Sequence, residues 1–65
     1  MSRKNKAEEI RLFIRDQILT GRWERGDRLN DAELAEEMQV SRLSVREALF
    51  RLIETGLVEK SHWKG

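Results

Sequence analysis

Arg42 and Arg46 stand four residues apart, so a helix over this segment sets them one turn apart on one edge. A guanidinium is a planar fork of donors that matches O6 and N7 of guanine, or the oxygens of a phosphate. Ser41 just before them reads as a helix N-cap, and its hydroxyl or backbone N–H is also compatible with a phosphate contact. Ser44 is placed to touch a phosphate or a base edge, or to face solvent. Leu43 packs on a thymine methyl or lies on the surface as a lone apolar residue. Basic residues in the first turns of a helix oppose its macrodipole, and a purely structural helix more often places acids there. The plainer alternative makes the two arginines surface ion-pair partners of Glu47 or Glu54.

Two helical patterns must position these side chains. Leu34, Ala35 and Met38 form one apolar stripe; Val45, Ala48, Leu49, Leu52 and Ile53 form a second at helical spacing. Val40 fills the gap between them, and Ala35 and Ala48 are small where crossing helices approach closely. Asn30 caps the first of the pair, which runs to about Met38; Ser41 caps the second, which runs to Thr55. The layout is that of a helix-turn-helix, whose second helix enters the DNA major groove, with Arg42 and Arg46 on the face away from the core. Spacing from Ala35 and Val45 puts Gln39 at the turn position that needs a left-handed backbone.

An earlier helix precedes the pair. Asn5 caps it with Glu8 three residues on, Ile10, Phe13, Ile14 and Ile18 form its apolar face, and Gly21 follows its end. Residues 22–29 connect: Gly26 and Asp27 mark a turn, Trp23 and Leu29 anchor its ends in the core, and Arg28–Leu29 suits a very short strand. Arg28 borders the second helix and is a candidate phosphate contact. After Gly56, Leu57 and Val58 begin a strand, and His62–Trp63–Lys64–Gly65 reads as a hairpin tip, with Lys64 toward phosphate. His62 has no second ligand nearby in the sequence for a metal. Trp63 joins no core stripe and is expected to be exposed, and Phe50 lies off the buried stripe as a candidate partner surface. The element order predicts a mostly α fold with a small β-wing: a three-helix winged helix-turn-helix with its wing cut short.

Composition bounds the function. Sixty-five residues make one small domain near the lower limit for independent folding. With no cysteine and one histidine, neither a disulfide nor a closed zinc site holds it, and the cysteine count fits a reducing cytoplasm. There is no apolar run long enough for a signal peptide or a membrane span. No glycine-rich phosphate loop or nucleophile–base set suggests an enzyme, and no cofactor is implied. Net charge is only +1, but it is segregated. Residues 31–41 carry four acids and no base, while residues 1–30 hold eight bases against five acids and residues 42–65 five against three. A protein that docks one face on phosphates has this distribution, and so does a solvated surface with scattered charges. Residues 1–6 read as a flexible basic tail, in which Arg3, Lys4 and Lys6 are either solvated or an arm toward an adjacent groove. Residues 7–65 read as the DNA-binding domain. The rival function is a winged helix used for protein interaction, anchored by Leu43, Phe50 and Trp63.

From about Ile10 to Gly65 the chain resembles the N-terminal DNA-binding domain of the GntR family of bacterial transcription regulators. The resemblance is carried by Gly21, Gly26, Leu29, DAELA at 31–35, VSR at 40–42, VREAL at 45–49, Leu52, GLV at 56–58 and the terminal Lys-Gly. VREAL followed by GLV is most similar to the branch named after the fatty-acid regulator. The resemblance implies a homodimer on a two-fold symmetric double-stranded DNA operator. It also implies guanine or phosphate contacts from Arg42 and Arg46, with Ser41, Leu43 and Ser44 lining the groove. A wing tip at His62 to Gly65 would reach the minor groove. A C-terminal ligand-binding and dimerisation domain, usual in such regulators, is absent from these residues, so a small-molecule effector would act only through it. Asp31 stands where glutamate is usual, Ala32 where some members have arginine, Gln39 where glycine is common, and Ser44 where this branch often has proline. These departures bear on the operator more than on the fold.

Overall fold

The computed structural model describes residues 6–24 and 27–64, the last by its backbone alone. The Asn5 cap, most of the basic tail, Gly26 and Gly65 lie outside the described residues. Among the described residues three α-helices, α1 (Lys6–Leu19), α2 (Asp31–Met38) and α3 (Arg42–Glu54), combine with two short strands, β1 (Leu29–Asn30) and β2 (Trp63–Lys64). None of these helices is long and apolar enough to cross a membrane. Lys6, assigned above to the tail, is the first residue of α1.

The apolar periods become one core. Ile10 and Ile14 of α1 meet Leu34 and Ala35 of α2, and Val45, Ala48, Leu49 and Leu52 of α3, with Leu29 and Val58 closing the ends. Phe13, Ile18, Trp23, Met38, Val40 and Ile53 pack around this cluster. Trp23 is also covered by the Arg22 guanidinium, 4.7 Å from its ring centroid, and Arg22 reaches on to Glu37 of α2 at 2.6 Å. The hydrogen bond from Arg22 holds the Glu37 carboxyl below its ordinary range. What this surface pair adds to stability is therefore present at neutral pH and fades as pH falls through that lowered pKa.

Each helix ends the way its residues dictate. Gly21 (φ 90) and Gly56 (φ 84) take the left-handed backbone after α1 and α3. Gly21 and Arg22 donate back to the carbonyls of Ile18 and Gln17, and Gly56 and Leu57 to those of Ile53 and Leu52. After α2 the same role falls to Gln39, at φ 58 and ψ 48, with Gln39 and Val40 donating to Glu36 and Ala35. A Cβ costs about 1 kcal/mol in that conformation, part of which glycine returns as unfolded-chain entropy. Gln39→Gly is accordingly expected to stabilise the domain by about 0.5 kcal/mol. A chemical-denaturation midpoint that falls instead of rising refutes it.

The strands differ from expectation. Leu57 and Val58 form no strand, because both N–H groups are committed to the Leu52 carbonyl at the end of α3 (3.1 and 3.3 Å). The first strand is Leu29–Asn30, one residue later than Arg28–Leu29, and it pairs in parallel with β2, Leu29 beside Trp63 and Asn30 beside Lys64. His62 to Lys64 is therefore not a hairpin tip. Lys60–His62 is a single 3-10 turn, and Trp63–Lys64 returns against β1. Trp63 is not exposed either: it is half-buried and packs against the core.

Candidate nucleic-acid interface

The N-terminus of α3 is built by its two serines. Ser41 Oγ accepts the Ser44 N–H at 3.1 Å and donates to Ser44 Oγ at 2.8 Å, which starts the helix at Arg42. Arg42 and Arg46 then rise along one edge, and both turn toward the same carboxylate. Asp31, the first residue of α2, has a wholly buried side chain. Its Oδ1 accepts from Arg42 Nε at 2.8 Å, its Oδ2 accepts from the Trp63 indole N–H at 3.2 Å, and Arg46 Nε lies 3.7 Å from Oδ2.

A buried carboxylate is costly unless paired and hydrogen-bonded. Here two guanidiniums, an indole N–H and the N-terminal end of α2 compensate it. The arginines remain about half exposed, 53% for Arg42 and 47% for Arg46. Their terminal nitrogens make no hydrogen bond among the described residues, which leaves a fork on each open to a ligand. The carboxylate they use is Asp31, neither Glu47 nor Glu54 of the surface-pair alternative. The Arg46 guanidinium also lies 5.8 Å from the Trp63 ring centroid, and Phe50 meets that ring edge-on at 4.9 Å and 80°.

The sequence-predicted residues fall into two groups. Arg42, Leu43, Ser44 and Arg46 lie in the first half of α3 and Ser41 at its N-cap, all exposed but Ser44, which is half-buried. Arg28 and His62 stand immediately before the paired strands, Arg28 exposed and His62 half-buried with Nε2 3.8 Å from Glu59. Lys64 follows in β2, its backbone beside Asn30. Sequence reasoning missed Asp31 and Trp63 as members of the site. An acid opening the helix before a pair of arginines is a weak signal for the first, and nothing local marks the second.

Three helices, with α2 and α3 joined by a left-handed turn and a basic, solvent-open start to α3, define the class: a helix-turn-helix of the winged kind. A family model for bacterial regulatory proteins of the gntR family matches residues 6–65, and the chain belongs to that family. Membership makes these residues a DNA-binding helix-turn-helix domain of the kind that transcription regulators carry. The chain is similar to the HTH-type transcriptional regulator Mce2R of Mycobacterium tuberculosis, at 43% identity over 60 residues. It is similar to the same degree to an uncharacterized HTH-type transcriptional regulator, Mb0601, of Mycobacterium bovis. In both cases the match covers 91% of this chain and spans 25% of the relative's length. No solved structure matches the chain.

Proposed function

We propose that this domain binds duplex DNA sequence-specifically, with α3 in the major groove and the β2 end toward the minor groove. The observation that carries the reading is the convergence of Arg42 and Arg46 on buried Asp31, which ties Arg42 through Nε and draws Arg46 alongside, while both side chains stay about half exposed with no hydrogen bond on their terminal nitrogens among the described residues. Each fork suits guanine O6 and N7. Ser41 and Ser44 meet phosphate, and Leu43 lies against a thymine methyl. Arg28, His62, Lys64 and Gly65 supply backbone and minor-groove contacts. In the cytoplasm, two copies on a palindromic operator follow the usual symmetry of such regulators, with dimerisation and a small-molecule effector assigned to sequence beyond this domain. We also assign the chain to the fatty-acid-regulator branch, on VREAL and GLV. The rival protein-interaction reading is weakened because Phe50 and Trp63, two of its three anchors, are engaged with each other.

Selection from random duplex DNA tests the reading, and an enriched palindrome gives the half-site spacing directly. Failure to enrich any sequence refutes it. Binding is also expected to be salt-sensitive. With four to six phosphates neutralised, log K falls against log salt with a slope of roughly −4 to −5. A flat response in the same titration favours a protein partner.

A further inference from the structure

We propose that Trp63 is a positioning residue that sets the pose in which Arg46 meets a base; this rests on the DNA-binding reading above. Asp31 has two oxygens and three donors around it. Arg42 Nε takes Oδ1 at 2.8 Å, the indole N–H takes Oδ2 at 3.2 Å, and Arg46 Nε is left at 3.7 Å, outside hydrogen-bonding distance. The indole ring also lies under the Arg46 guanidinium, and Phe50, one turn further along α3, holds the ring edge-on. Trp63 thus supplies the donor that Oδ2 requires and offers Arg46 a π-face in place of the carboxylate. Arg42 is tied to Asp31 through Nε, while Arg46 stays poised between carboxylate and ring. Because Asp31 is wholly buried, an Oδ2 without its indole donor draws on the nearest one, Arg46 Nε. The strand after α3 thereby sets the pose of a base-reading side chain 17 positions earlier in the chain.

Trp63→Phe keeps an aromatic ring and removes the N–H. In the 65-residue chain without DNA, the Arg46 Nε–H signal in nitrogen-15 spectra is expected to become protected from solvent exchange, while that of Arg42 is unchanged. Affinity for the selected duplex falls about three- to ten-fold, the worth of one hydrogen bond, with scrambled DNA unaffected. In an Arg46→Ala background the same change has no further effect. Trp63→Leu, which removes the ring as well, gives the same Arg46 protection and a larger loss. An Arg46 signal identical to wild type in both variants overturns the proposal, as does an equal affinity loss with or without Arg46. Unfolding of both variants also overturns it, making Trp63 a core residue alone. If no duplex is ever selected, the DNA-binding reading fails, while the spectra still decide whether Trp63 governs Arg46.

Discussion

Leu49→Ala is expected to destabilise the domain by about 2–5 kcal/mol, the range for removing a large aliphatic side chain from a packed core. Leu49 is fully buried at the middle of α3, in the cluster shared with Ile10 and Ile14 of α1 and Leu34 and Ala35 of α2. A substitution there leaves a cavity where all three helices meet, and the neighbours are themselves fixed by α3. A chain this short has a total stability of only about 3–10 kcal/mol, so a substantial unfolded population follows near room temperature. Thermal melts monitored by circular dichroism measure it. Leu43→Ala, on the exposed side of the same helix, is the control and leaves the midpoint nearly unchanged. A shift of a degree or two for Leu49→Ala rejects the central role given to this residue.

Arg42→Ala and Arg46→Ala are each expected to weaken specific DNA binding by about 1–3 kcal/mol, the cost of a lost guanidinium–base contact. Titration of cognate and scrambled duplexes measures the loss, and unchanged affinity in both variants ends the recognition-helix assignment. Their effects on folding should separate. From the sequence both arginines lie off the core stripe, and neither is expected to matter for stability. The structure changes that expectation for Arg42, whose Nε is the hydrogen-bond donor to Oδ1 of a wholly buried carboxylate. Its removal leaves Asp31 Oδ1 short of a partner, at about 1–2 kcal/mol after water enters on the exposed side. Arg46→Ala leaves the Trp63 donor on Oδ2 in place and costs less. Equal melting midpoints for the two variants contradict this division of labour.

Most of the helical frame was legible in the sequence. The stripes of α1, α2 and α3, the Asn30 and Ser41 caps, the glycine stops and the left-handed Gln39 all occur where residue type and spacing put them. Each depends on residues within about four positions of one another, which is the reach of helical periodicity and capping. The region after α3 was misread for the same reason. Leu57 and Val58 have strand-like side chains, but their N–H groups are taken by the helix end, and a strand without free donors cannot pair. The strand that forms, Trp63–Lys64, depends on β1 more than thirty residues earlier, and no local pattern announces it.

The candidate site divides along the same line. By itself the sequence determined that two arginines share the exposed edge of a capped helix, since a spacing of four and a preceding serine suffice for that. Only the tertiary structure decided that both approach one buried carboxylate, and that an indole shares it and lies against Arg46. The hydrogen bonds responsible join Asp31 to Arg42 across 11 positions and to Trp63 across 32. Contacts of that span exist only once the core has brought α2, α3 and β2 together. Burial then makes them binding, because a carboxylate removed from water must find its donors within the protein.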